Sequence, residues 1–307
     1  GDVVLPPQRG PRSLALASDV VYVSTGEVSV WKSLECLDLT TGREAHQYPD
    51  HERVERLFGG GAAPVFISRK LDDQYAVYEL TVPDKPWRFD PDRIWFFRRP
   101  RRTRFVDYSV AVGSDETVVA AVGEMDVVYW RLSATDVHHR RLPVRIVSSC
   151  VALVDGKVLL LVEVWGDSAL ALVDVDSGEV LWLHQGRWDW TTSPCVAQVD
   201  GRAVGVTGGM DSAIVIVDLL TGNAIGQPLV GHSMAPDAYD VVTYEDRPLL
   251  VSGGDDRTVR VWDLRTHVQL VVIDMGAVVT SVKFVPSTQA IIVGTEASVL
   301  RIELDHI

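Results

Sequence analysis

Short apolar runs cut by polar pairs recur along the chain, and the clearest example is CVALVDGKVLLLVEVWGDSALALVDVDSGEVLW at residues 150–182. Cys150–Val154 reads as an inner strand, termed a, and Asp155-Gly156 as a two-residue hairpin turn. Lys157–Val164, strand b, is apolar almost throughout, the pattern of a strand covered on both faces. Ala169–Val175 supplies strand c, Asp176–Gly178 the next turn and Glu179–Leu183 an outer strand d. The segment therefore predicts one antiparallel sheet of four strands.

The phrase returns. CVAQVDGR (195–202) and DVVTYEDR (240–247) repeat CVALVDGK, each after 45 residues. Strands b and c recur as TGGMDSAIVIVDL (207–219) and SGGDDRTVRVWDL (252–264), and more loosely as VGTEASVLRIEL (293–304). Aligned on their last two letters, the copies end at Asp38-Leu39, Glu79-Leu80, Arg131-Leu132, Asp174-Val175, Asp218-Leu219, Asp263-Leu264 and Glu303-Leu304. The intervals are 41, 52, 43, 44, 45 and 40 residues, and such a period with a Trp-Asp ending describes a four-stranded propeller blade. The expected fold is all-β: a single seven-bladed β-propeller of antiparallel four-stranded blades spanning 1–307. The blades fall at about 13–52, 53–105, 106–146, 147–191, 192–236, 237–277 and 278–307 plus 2–8. The last blade runs out after strand c, while DVVLP (2–6) is a spare extended stretch, so the N-terminal strand is expected to close the last blade and remove its open edge. Two places depart from the period: extra residues around Val28–Leu34, and a long link between blades two and three through residues 85–105.

These residues resemble the WD40-repeat family, particularly its bacterial members with DGR…SGGDD-TVRVWDL-TG blades; one blade is strong and the others degenerate. The resemblance implies a hydrogen-bonded tetrad of a Gly-His histidine, a strand b Ser or Thr, a b–c turn Asp and a strand c Trp. His232, Ser252, Asp256 and Trp262 match it in blade six, the only blade that can supply all four. The acidic turn position recurs as Asp72, Glu124, Asp167, Asp211, Asp256 and Glu296, where a carboxylate caps the backbone N–H groups of its own turn.

Composition narrows the function classes. A formal charge of −13 over 307 residues repels phosphate backbones and argues against nucleic-acid binding. Apolar runs such as Val158–Trp165 span one strand and are interrupted by Glu163, so no membrane crossing is expected. Cys36, Cys150 and Cys195 form neither a paired framework nor a zinc spacing, which fits reduced thiols and a cytoplasmic chain. The expected state is a monomer, with one domain of a longer chain as the alternative.

No catalytic constellation stands out. The eight histidines show no HxH or HExxH spacing, and no GxSxG elbow occurs. No metal or cofactor is expected, and the chain is read as a non-enzyme. An alternative is an enzyme or small-ligand sensor built on the central channel, which would be lined by Ser13, Arg56, Ser109, Cys150, Cys195, Asp240 and Ser281. A channel filled with water is the commoner outcome for such a polar ring. ALVDVDSGEVLW (171–182) also resembles a blade of the quinone-dependent dehydrogenases, which are eight-bladed.

Binding is instead expected on the face carrying the d–a and b–c loops. QGRWDWTTSP (185–194) sets Trp188 and Trp190 two apart, on one side of an extended loop, with Met210, Met234 and Tyr239 in neighbouring loops. Exposed tryptophans carry a large share of interface energy. RRPRRTR (98–104) adds Arg98, Arg99, Arg101, Arg102 and Arg104, a cationic run suited to acidic or phosphorylated partners. The function read from the sequence is a scaffold or sensor that binds a protein or peptide partner.

Overall fold

The structure, a computed structural model, describes residues 2–3, 11–17, 20–25, 33–38, 44–47, 53–58, 65–69, 74–79, 94–98, 105–113, 116–133, 137–166, 169–184, 194–209, 211–296 and 298–304. Side chains are described from residue 105 onward, Val106 excepted. The chain forms two compact units, residues 1–101 with 275–307, and residues 102–274. Strands dominate both; among the described residues the only helical turn is a 3-10 turn at Pro286–Thr288.

In the first unit, β2 (Pro11–Ala17), β3 (Val20–Thr25), β4 (Ser33–Asp38) and β5 (Glu44–Gln47) make one antiparallel sheet. Another joins β6 (Arg53–Phe58), β7 (Val65–Arg69), β8 (Gln74–Glu79) and β9 (Ile94–Arg98).

The second unit holds four sheets in chain order. The third sheet of the chain comprises β10 (Phe105–Val112), β11 (Thr117–Gly123), β12 (Asp126–Arg131) and β13 (Val137–Arg141). The fourth has β14 (Ile146–Val154), β15 (Lys157–Val164), β16 (Ala169–Asp174) and β17 (Val180–His184). The fifth has three strands, β18 (Cys195–Val199), β19 (Arg202–Gly208) and β20 (Ile214–Asp218). The sixth has β21 (Pro236–Tyr244), β22 (Arg247–Gly254), β23 (Thr258–Asp263) and β24 (Val268–Asp274).

The chain then returns to the first unit. There β25 (Val279–Val285), β26 (Ala290–Thr295) and β27 (Val299–Glu303) form a sheet whose outermost member is β1 (Asp2–Val3). β1 runs antiparallel to β27, with Asp2 opposite Arg301 and Val3 opposite Leu300.

Strand patterning explains the packing of the second unit. In the fourth sheet strands b and c are buried on both faces: β16 is buried at every position, and β15 at every position after Lys157. One apolar layer joins the third and fourth sheets through Val118, Ala120, Leu160 and Val162. A second joins the fourth and fifth through Leu159, Leu161, Val215 and Val217, and a third joins the fifth and sixth through Val206, Ile216, Leu250 and Trp262. The a–b turns repeat as well. Asp155-Gly156, Asp200-Gly201 and Glu245-Asp246 all take positive φ, the geometry of a tight hairpin, and the last pair does so without glycine.

Three sequence expectations change. The fifth sheet lacks a regular fourth strand, because residues 224–229 touch β20 only at two bridges, Val217 with Ala224 and Ile214 with Leu229. Gly226, at φ 66, turns the chain away between them, and Pro228 has no N–H to offer the ladder. The long interval before the third sheet is not in a d–a link: β8 pairs directly with β9, so residues 80–93 join strands c and d. Arg98 accordingly belongs to β9, opposite Gln74, rather than to a loop.

The seven inner-strand residues proposed to line a channel also do not share one rung. Ser109, Cys150, Cys195 and Asp240 lie across from Ala120, Leu161, Val206 and Val251. These lead across to Tyr129, Leu172, Ile216 and Val261, each two residues before the end of strand c. By the same rule Lys283 and Ala15, not Ser281 and Ser13, occupy that rung in the sheets of β25 and β2. Arg56 does occupy it, opposite Ile67. The same bulge opens these inner strands, and the shared rung lies four residues after its start at Ser109, Cys150, Asp240, Ala15 and Lys283, whereas Ser13 and Ser281 lie only two after it.

Candidate interaction face

Within the second unit, the d–a and b–c loops lie at one end of the strands, and the a–b and c–d turns at the other. At the first end the sixth sheet holds a continuous polar chain. Trp262 Nε1 donates to Ser252 Oγ (2.9 Å), which lies 2.8 Å from His232 Nε2, and His232 Nδ1 lies 2.8 Å from Asp256 Oδ2. Trp can only donate, so the Ser252 hydroxyl donates in turn to His232 Nε2, leaving Nδ1–H to donate to Asp256.

Asp256 also accepts from Thr258 N (3.0 Å), Thr258 Oγ1 (2.8 Å) and Ser233 N (3.1 Å). Burial alone would raise its pKa; the hydrogen bonds from Thr258, Ser233 and His232 outweigh that and hold it below the ordinary carboxylate value. Burial lowers the pKa of His232 and outweighs the attraction of Asp256, so the ring is neutral at pH 7. This chain of bonds positions the loop before β21; it presents no reactive group to solvent, since both partner side chains are almost fully buried.

On that loop Met234 is exposed, as is Val230. Tyr239 is half-buried: it packs against the apolar layer of the fifth and sixth sheets and donates its hydroxyl to Pro236 O. It offers packing rather than an open ring. Asp237, drawn partly out of water and facing Asp255, has its pKa raised to about 6. Trp188, Trp190, Met210, Arg99, Arg101, Arg102 and Arg104 lie outside the described residues, as do Asp72 and Asp167, and the side chain of Arg98 is likewise not described. Asp211 caps its own turn by accepting from Ala213 N (3.2 Å).

A residue not singled out from the sequence stands out on the same end of the unit. Trp165 follows β15 and is 57% exposed, the most exposed tryptophan among the described residues. Its position at the end of a buried apolar strand masks it in the sequence, where VLLLVEVW reads as continuous strand. The Arg145 guanidinium sits 5.3 Å from the Trp165 ring centroid, and Trp165 N donates to Arg145 O (2.7 Å). Arg145 is held in turn by Glu124, whose Oε2 accepts from Nε (3.2 Å) and from a terminal nitrogen (2.9 Å). Val147, 36% exposed, lies two residues beyond Arg145. Glu124, Arg145 and Trp165 thus form a braced, partly apolar ledge.

The inner strands supply hydrogen bonds between sheets rather than a reactive cluster. Asp107 accepts from Ser149 N (2.8 Å) and Ser109 Oγ accepts from Val151 N (2.7 Å), tying β10 to β14. Cys150 and Cys195 are half-buried thiols whose sulfurs lie near the carbonyl oxygens of Val151 and Val196, at 3.7 and 3.8 Å. No group of His, Cys, Asp and Glu that could hold a metal ion occurs among the described residues.

Comparison with known proteins gives two results. The family model "WD domain, G-beta repeat" matches residues 225–263, the segment that holds the polar chain from His232 to Trp262. The crystal structure of the WD40 beta propeller domain of Doa1 is similar over 99% of this chain and 96% of that chain, with a TM-score of 0.65 at 15% sequence identity. In all, 1481 solved chains match. No curated protein matches. The chain therefore carries a WD40 repeat and has the fold of a WD40 β-propeller.

Proposed function

We propose that the chain is a non-catalytic scaffold or sensor, a seven-bladed propeller closed by the pairing of β1 with β27, that binds a protein or peptide on the d–a and b–c loop face. We read it as a monomer, and a reducing, cytoplasmic compartment is in keeping with the thiols of Cys150 and Cys195. WD40 propellers in general serve as protein-interaction scaffolds. The observation that carries the reading here is Trp165: a large aromatic surface in water, already fixed by Arg145 and Glu124 before any partner arrives. Preorganised tryptophans of this kind dominate interface energetics because little side-chain entropy is lost on contact. Trp188, Trp190, Met210 and Met234 extend the proposed surface, and the arginines from Arg98 to Arg104 modulate it.

Affinity capture by the wild-type chain, followed by mass spectrometry and a binding titration of the captured protein, provides the test. Trp165→Ala is expected to weaken that protein by about 2 kcal/mol, and the Trp188→Ala, Trp190→Ala pair to abolish capture, with unchanged melting temperatures. Full affinity in both variants overturns the assignment of this face.

A further inference from the structure

Three outer strands carry described side chains, and they end their sheets differently. β17 and β24 hold partly buried residues, and neither contains Lys or Arg. β13, with the sequence VHHRR, is exposed at all five positions and basic at four of them. It does so on a chain whose formal charge is −13.

Guarding a sheet edge against aggregation needs charge but no fixed place for it. Here three of the four basic side chains are braced. His138 stacks on Tyr129, ring centroids 5.0 Å apart at 22°, and the Tyr129 hydroxyl donates to the Asp176 carboxylate. Arg140 donates to the backbone oxygen of Asp176, and His139 Nε2 lies 3.3 Å from Asp126 Oδ1. The neighbouring carboxylates are thus already engaged: Asp126 by His139, and Asp176 by Tyr129 with Arg131 at 3.8 Å. Arg140 keeps its charge on a carbonyl, and Arg141 makes no ion pair among the described residues.

The backbone of β13 is open as well. Leu142 N donates to Met125 O, and in the same register Arg140 lies opposite Val127 and His138 opposite Tyr129. These residues turn their N–H and C=O groups toward β12. Alternation in an antiparallel ladder therefore turns those of Val137, His139 and Arg141 outward. No strand of the sheet lies beyond them. A row of alternating donors and acceptors matches another peptide strand, whereas a phosphate surface offers acceptors alone.

We propose that β13 is a docking edge for an extended acidic segment of a partner protein, which adds to the third sheet as a fifth strand. Its backbone bonds the outward groups of His139 and Arg141. Arg140 and Arg141 are consecutive and project from opposite faces, so the segment carries two consecutive acidic residues. An apolar residue falls opposite Val137, itself 45% exposed. This edge is distinct from the loop face and does not rest on the function proposed for that face.

The test uses the full chain and a fluorescein-labelled hexapeptide, Thr-Glu-Glu-Thr-Val-Val, with a Lys-Lys counterpart and one N-methylated at alternate backbone nitrogens. Anisotropy measures affinity, and NMR follows amide hydrogen exchange at His139 and Arg141. The acidic peptide is expected to saturate and to slow exchange at both amides. Affinity should fall about tenfold or more with either counterpart peptide, and likewise in Arg140→Glu plus Arg141→Glu. His139→Pro should have the same effect, because it removes an outward N–H and no bond to β12. Trp165→Ala should leave the affinity unchanged. Unslowed exchange, equal binding of the N-methylated peptide, or retained affinity in the charge-reversed variant would each overturn the proposal. So would tighter binding to phosphatidylserine-containing vesicles than to the peptide, which would assign the edge to a membrane. Self-association abolished by His139→Pro would overturn it too, by assigning the edge to a second copy of the chain.

Discussion

The fourth and sixth sheets share a strand plan, a hairpin turn between strands a and b, and an Asp closing strand c, yet they are held together by different physics. In register, Trp262 and Ser252 of the sixth sheet correspond to Val173 and Val162 of the fourth. The sixth sheet buries a chain of hydrogen bonds from Trp262 to Asp256; the fourth buries aliphatic side chains at the matching rungs. The third and fifth sheets are intermediate. Trp130 stands at the Trp262 position with Ala121 in place of Ser252, while the fifth keeps Thr207 but has Val217 for the Trp. The comparison teaches that the polar chain is one solution to blade packing and not a requirement of it. What it adds is a fixed position for the loop that carries His232 and Ser233. An apolar blade leaves such loops to find other braces, as Arg145 does through Glu124.

The sharpest way to break this contrast is to remove the carboxylate on which the sixth sheet's bonds converge. Asp256→Ala orphans His232 Nδ1, Thr258 N and Ser233 N together, and is expected to cost about 3 kcal/mol in urea unfolding. In the fourth sheet a similar loss needs a cavity, about 3 kcal/mol for Leu172→Ala. A cost under about 1 kcal/mol for Asp256→Ala would mean the polar chain is ornamental.

A converse experiment moves one piece of the polar chain into the apolar sheet. Val162→Ser places a hydroxyl at the Ser252 rung with no His or Trp to meet it. The expected cost is about 2 kcal/mol, from lost methyl contacts and an unpaired buried oxygen. A neutral outcome would show that water or backbone can satisfy the site, and would erase the distinction between the two sheets.

The same contrast marks what could be read from the chain alone. The a–b hairpins were visible because CVALVDGK and its repeats carry turn residues at a fixed offset from apolar strands, and β14, β18 and β21 follow them. The four residues of the polar chain are visible by spacing in the best repeat, where β22 and β23 bring them into contact. Features that depend on a single inserted or bent residue were not. Gly226 with Pro228 dissolves the fourth strand that the repeat predicts after β20, leaving two isolated bridges. Trp165 was hidden for a related reason: burial of the strand before it says nothing about where the strand stops. Arg98 reads as loop from the sequence because charge runs are commonly solvated, whereas three aromatic residues before it carry the strand through to its first arginine.

The smallest effect expected is in the acid response, where two groups of the sixth sheet pull in opposite directions. His232 has a folded pKa below its ordinary 6.5, so the unfolded chain takes up that proton first. Its contribution is present above pH 6.5 and is lost as the pH falls towards the depressed folded value. Asp237 is shifted the other way, to about 6 from an ordinary 3.8, so the folded chain takes up its proton first. Its carboxylate therefore weakens the fold above pH 6, and that penalty is relieved as the pH falls from 6 to 3.8. Wild-type melting temperature should consequently decline only gently from pH 7 to 5. Asp237→Asn should raise the melting temperature at pH 8, because it removes a carboxylate held partly out of water and repelled by Asp255, and should steepen the decline below pH 6.5. Parallel curves for the two proteins across pH 5 to 8 would show that Asp237 titrates alike in the folded and unfolded chains. The sixth sheet's pH dependence would then rest on the buried bonds of His232 and Asp256, whose depressed carboxylate also loses its contribution towards acid.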